Sequence, residues 1–212
     1  MNNLLKETDL ARVVVCWLKD YGWEVYQEVK IDACIADIVA IQNNIIWIIE
    51  CKKSMGLKVI DQAIRWKSYA HYVSIATFPR IQNVYIIEDI IKWKEIGCLT
   101  VLNEVNEWIK PSLNRKAFTD VILKNIREEQ KTFVDAGSTG GYYTPFKDTC
   151  NKIYKEVSHN PGITLNELIL KIKHHYKTPE SAKHCILSWA KEGIIKHIRV
   201  QKEDGKYKFY LS

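Results

Sequence analysis

Asp37, Glu50 and Lys52 are the residues whose types and spacing could do chemistry. Twelve residues separate Asp37 from Glu50, and Glu50-Cys51-Lys52 closes an otherwise apolar run. The stretch 36–42 (Ala-Asp-Ile-Val-Ala-Ile-Gln) and the stretch 45–52 (Ile-Ile-Trp-Ile-Ile-Glu-Cys-Lys) flank Asn43-Asn44. Two runs rich in β-branched and aromatic residues, split by two asparagines, read as a hairpin with a two-residue turn. In that register Gln42 faces Ile45 and Asp37 faces Glu50, with Cβ atoms about 5 Å apart. Side chains alternate along a strand, so Lys52 projects from the face of Glu50.

Two carboxylates at that separation suit a hard divalent cation with oxygen ligands, Mg²⁺ or Mn²⁺, and the Cys51 carbonyl offers a further ligand. Such a cation would acidify a bound water and draw charge off a phosphate. Lys52 would orient that water or stabilise the developing charge. The plain alternative is that Asp37 and Glu50 cap a strand and Lys52 neutralises one of them. Against it, a hairpin this apolar should be buried on most of both faces, where carboxylates are costly unless paired or bound to metal.

The elements that must position this set follow from hydrophobic period. Residues 3–20 repeat Leu4, Leu5, Leu10, Val13, Val14, Trp17 and Leu18 at helical spacing, ending at Tyr21-Gly22. Residues 23–31 alternate as a half-exposed strand, with Glu24, Tyr26, Glu28 and Lys30 on the wet side. After the hairpin and Gly56, residues 59–70 return to helix, 71–77 to strand, 81–91 to helix and 98–102 to strand. The order α-β-β-β-α-β-α-β predicts an α/β core around a small mixed sheet. Residues 112–133 read as one more helix. Asp135-Ala-Gly-Ser-Thr-Gly-Gly141 is either a flexible linker or, through its glycine amides, a phosphate cradle. The predicted division is 1–110, a connecting helix and linker over 111–144, and 145–212.

The last segment is sharply punctuated. A helix over 146–157 stops at Asn160-Pro161-Gly162. Thr164 with Glu167 is a capping box, and Thr178-Pro179 is an N-cap followed by an N1 proline. Strands over 194–200 and 207–211, centred on Asp204-Gly205, pair Val200 with Phe209 and Ile198 with Leu211. Three helices and a hairpin describe a winged helix-turn-helix, a shape that serves nucleic acid or protein docking.

Composition bounds the rest. The 212 residues carry 31 Lys/Arg and 25 Asp/Glu, net +6. Residues 1–144 hold 18 of each sign, and residues 145–212 hold 13 basic against 7 acidic. All the excess positive charge therefore lies in the last third, where Lys183, Lys191, Arg199, Lys202, Lys206 and Lys208 would meet an anionic partner such as DNA. No apolar run approaches membrane-spanning length, and the first residues lack a signal-peptide pattern. Six cysteines without a CxxC pair suit reduced thiols in a cytoplasmic protein. His71, His174 and His175 show no ligand spacing and read as non-catalytic.

An Asp, a twelve-residue gap and Glu-Cys-Lys on an α-β-β-β-α-β core resemble the PD-(D/E)XK nuclease superfamily of restriction-endonuclease-like enzymes. Ala36 stands where the family name has proline. The whole chain also resembles an uncharacterised bacterial family within that superfamily, on Lys6-Glu-Thr-Asp-Leu10, Tyr21-Gly22 with Glu28-Val29, Glu50-Cys-Lys-Lys53, Asp61-Gln62-Ala63 and Gly140-Gly141. The resemblance implies that Asp37 and Glu50 are metal ligands and Lys52 the catalytic base or stabiliser. It also makes Glu7 the position of an additional acid from the first helix. Glu28 is either a further metal neighbour or, as its alternation favours, a solvated strand residue. Gln62, Trp66 and Tyr69 form a stripe similar to a substrate-contacting Gln-x-x-x-Tyr, with Trp66 a departure. The implied function is a Mg²⁺-dependent endodeoxyribonuclease, alone or as a homodimer. The alternatives are an inactive DNA-binding regulator and a protein-interaction module on the same fold.

Overall fold

The computed structural model describes residues 6–79, 85–138 and 141–212. Leu4 and Leu5 of the first helical pattern, residues 81–84 of the expected 81–91 helix, and Gly140 lie outside the described residues. The chain divides into two compact units, Met1–Tyr143 and Thr144–Ser212.

The first unit is α/β. Its elements are α1 (Glu7–Asp20), β1 (Glu24–Ile31), β2 (Cys34–Gln42), β3 (Ile45–Lys52), α2 (Leu57–Trp66), β4 (Tyr72–Thr77), α3 (Tyr85–Trp93), β5 (Gly97–Val101), β6 (Val105–Ile109) and α4 (Asp120–Asn125). One six-stranded mixed sheet runs in sequence order from β1 to β6. Strands β1, β2 and β3 are antiparallel neighbours, β3, β4 and β5 are parallel, and β6 returns antiparallel at the edge. The strand β6 was not expected from the sequence; only five residues long, it lacks a strong apolar alternation.

The hairpin forms as its turn chemistry dictates. Asn43 and Asn44 both take positive φ, 49° and 64°, the left-handed pair that asparagine tolerates and a type I′ turn requires. Gln42 pairs with Ile45 and Ile38 with Ile49. Successive residues feed opposite faces: Val39, Ile46 and Ile48 join one core with Ile60, while Ile38, Ala40 and Ile49 join another with Leu10. Ile38, Ile48 and Ile49 are fully buried. Each contributes about 1.5–3 kcal/mol by burial, enough together to hold buried carboxylates on the same strands.

Three expectations fail. Strand β1 is buried on both faces, with only Glu24 and Lys30 exposed. The face carrying Tyr26 and Glu28 is not wet, because the chain beyond residue 119 returns to cover it. Tyr26 Oη donates to Glu128, and the Glu28 carboxylate accepts from the Gly137 amide. Residues 112–133 are not one helix. After Pro111 the amides of Asn114 and Phe118 donate to His71 and Ser68, so the backbone bonds outward instead of within a helix. Only α4 and a 3₁₀ turn, Glu128–Lys131, follow. The segment 135–138 is also no free linker: Arg12 grips Asp135 at 2.6 Å, and Gly137 sits so close to Glu7 that a Cβ would lie 3.1 Å from its backbone.

The second unit contains α5 (Pro145–His159), β7 (Ile163–Thr164), α6 (Leu165–Lys171), α7 (Pro179–Lys191), β8 (Ile198–Glu203) and β9 (Lys206–Leu211), with sheet order β7-β9-β8. Thr144, Thr164 and Thr178 each accept from the amide three residues on, which starts the three helices. Val200 pairs with Phe209 and Ile198 with Leu211. Phe209, Ile153, Leu168 and Ile186 fill its own core. Among the described residues, no helix is long and apolar enough to cross a membrane.

Candidate active site

Asp37 near the start of β2 and Glu50 near the end of β3 are 8% and 1% exposed. The hairpin register carries both to the end of the sheet opposite the Asn43-Asn44 turn. Asp37 Oδ2 accepts from the Cys51 amide at 2.8 Å and lies 4.0 Å from Lys52 Nζ. Glu50 Oε1 accepts from the Trp66 indole at 2.7 Å. Its other oxygen, Oε2, is buried without a hydrogen-bond partner. A buried carboxylate oxygen without a hydrogen-bond partner is costly at full charge, which is the physical invitation for a cation or a proton.

The electrostatics record that strain. Burial first, and Asp37 second, push the Glu50 carboxyl up to about 8. Burial likewise raises Asp37, against the opposing pull of Lys52 and of the Cys51 amide. Burial alone would lower the Lys52 ammonium, but Asp37 and Glu7 outweigh it and its pKa ends raised. Asp37 and Glu7 thus hold Lys52 in its charged form.

Glu7, in the first turn of α1, reaches Lys52 at 3.3 Å. Gln62 and Trp66 descend from α2 onto the same cavity as Asp37 and Glu50, and the Gln62 Oε1 is also buried without a partner. Tyr69 lies beyond the end of α2 and packs against the core and the Trp66 ring. The cavity, of about 300 Å³, is lined further by Glu28, Arg65 and Ser138. Glu28 is 4% exposed, which overturns its reading as a solvated strand residue. The signal that could have found it was register: pairing Gln27 with Ile38 and Val29 with Ala36 leaves Glu28 opposite Asp37. Burial, then Asp37, push its carboxyl up to about 7.

Asp37, Glu50 and the Cys51 carbonyl are the groups that could take a divalent cation, with Gln62 beside them. Among the described residues no three His, Cys, Asp or Glu side chains are gathered closely enough to hold an ion as they stand. Buried carboxylates repel one another, and here each is drawn to a different donor: Glu50 to Trp66, Asp37 to Cys51, Glu28 to Gly137. Family models, curated proteins and solved structures gave no match to this chain.

In the second unit the expected basic residues are variously engaged. Lys208 pairs with Glu203 at 2.9 Å, and Lys191 donates to Tyr207 at 3.1 Å. Arg199 lies over the Tyr210 ring and Lys202 near that of Tyr207. Lys206 is exposed beside the Asp204-Gly205 turn, and Lys183 is half-buried on α7. His71 is structural, its Nδ1 accepting from the Ile46 amide. His175 meets Thr149 at 2.8 Å.

Proposed function

We propose that this chain is a Mg²⁺-dependent nuclease of the PD-(D/E)XK type, hydrolysing phosphodiester bonds in DNA, with residues 144–212 acting as a winged helix that aids DNA binding. The observation that carries the reading is the buried Glu50 carboxylate with one oxygen unpartnered, across a hairpin from Asp37 and two residues from Lys52. A structural ion pair would satisfy those oxygens; this arrangement leaves one open in a polar cavity.

Asp37, Glu50 and the Cys51 carbonyl would hold the cation. When bound, it would acidify a water and neutralise charge on the scissile phosphate. Lys52, kept cationic by Asp37 and Glu7, would stabilise the negative charge that builds on the phosphate oxygens as the acidified water attacks and releases its proton to solvent. Trp66 fixes the Glu50 rotamer, and the Cys51 amide fixes that of Asp37. The exposed lysines and Arg199 of the hairpin β8–β9 would contact phosphates without reading sequence.

The test is incubation of plasmid and branched DNA with Mg²⁺ or Mn²⁺, using wild type and Lys52→Ala. Cleavage that needs metal and falls at least about 100-fold in the mutant is the expected result. Salt-sensitive binding without cleavage would identify a DNA-binding regulator instead, and neither binding nor cleavage a protein-interaction module.

A further inference from the structure

Glu28 combines a strained backbone with a buried carboxylate. It sits inside a β-strand with φ of 52°, a left-handed conformation that a side chain-bearing residue adopts at a cost of about 1–3 kcal/mol. The strand does not bulge there, since the pairing runs in one register on either side. The strain therefore serves the direction of the side chain. That side chain is buried, and its carboxylate accepts from the amides of Gly137 and Ser138, with the Gly137 contact at 2.8 Å.

On strands β1, β2 and β3 the flanking ladder pairs place Glu28 opposite Asp37 and Asp37 opposite Glu50, although neither pair itself belongs to the ladder. All three line one cavity, with Gln62 and Ser138 on its walls. Glu7 does not line it. Three buried oxygens facing this cavity, from Glu50, Gln62 and Ser138, have no hydrogen-bond partner. A cavity so furnished carries the oxygen donors that a hard cation takes, though its carboxylates are turned to separate partners as they stand.

We propose that Glu28, rather than Glu7, is the third carboxylate of the cation site, and that Glu7 serves Lys52. This rests on the reading of Asp37 and Glu50 as cation ligands. Because the three residues line one cavity, turning their side chains inward would bring the carboxylates toward a common ion. Glu28 then exchanges an amide partner for the cation, so the turn at Gly137 is held by Glu28 before the ion arrives. Glu7 is already engaged by the ammonium of Lys52 at 3.3 Å, and neither residue lines the cavity.

Calorimetric titration of the full chain with MnCl₂ tests this without any activity measurement. Asp37→Asn should abolish binding. Glu28→Gln keeps an oxygen for the Gly137 amide but removes the charge, and should weaken Mn²⁺ by at least the roughly 10- to 100-fold lost with groups that merely support a ligand. Glu28→Ala should show the same loss, with circular dichroism confirming that both variants fold. Glu7→Gln should bind within about threefold of wild type, well below that loss. If Glu28→Gln binds like wild type while Asp37→Asn does not, the role of Glu28 is overturned and the Asp37–Glu50 site stands. Equal losses in Glu7→Gln and Glu28→Gln overturn the assignment of Glu7. No binding by wild type overturns both.

Discussion

At the scale of single residues, the site is a set of groups kept in costly states by their surroundings. Glu50 shows this most plainly. Its folded carboxyl holds its proton up to about 8, whereas the ordinary value is 4.5. Through this group the folded chain binds more protons than the unfolded chain between those limits, so the stability that depends on Glu50 is full below pH 4.5 and falls as pH rises toward 8. Glu50→Gln should flatten that decline and be more stable than wild type at pH 8, by a few kcal/mol at most. Urea denaturation at pH 5, 6.5 and 8, without divalent ions, measures it. A steeper decline in the variant would remove Glu50 as the cause. Added Mg²⁺ favours the ionised carboxylate, so its stabilisation of the wild type should be larger at pH 8 than at pH 5.

At the scale of elements, one turn decides whether the site exists. Two asparagines in left-handed conformations set the register of β2 against β3. Inserting one glycine between Asn43 and Asn44 would slip that register by a residue and turn Asp37 away from Glu50. It should cost on the order of 3 kcal/mol or more and eliminate Mn²⁺ binding. Asn44→Gly, which keeps the turn type, should hold the melting temperature or raise it. This hairpin was legible because turn chemistry and apolar runs are local properties. The capping boxes and β8–β9 pairing of the second unit were legible for the same reason. What escaped was non-local. Nothing near Glu28 signals that residues 128–138 will return to bury it, and the charge pairs over 112–133 suggested a helix that His71 and Ser68 draw apart. The same holds for the site: Asp37 and Glu50 announce themselves by an odd charge in an apolar run, while the indole of Trp66 finds Glu50 only through packing.

At the scale of the whole molecule, the chain is two units with two electrostatic characters. Residues 144–212 have their own core around Phe209 and all the excess positive charge. Expressed alone, they should give a helical circular dichroism spectrum with a cooperative melt. They should bind duplex DNA without divalent ions, more weakly as salt rises, and Arg199→Ala should reduce the salt slope by about one. Fluorescence anisotropy across a salt series reads this, and a flat response would remove DNA as the partner of this unit.

The edge strand β6 has a consequence for the molecule in company. A sheet ending in unpaired backbone groups is a template on which other chains can add strands. Among the described residues no further strand pairs with β6. Its five residues carry the exposed charge of Glu107, and Lys110 and Pro111 follow at once. A short ledge bearing a charge, and cut off by a residue with no amide hydrogen, is a poor seed for aggregation. The sheet is thereby kept from growing past its own boundary, even with Trp108 exposed beside it.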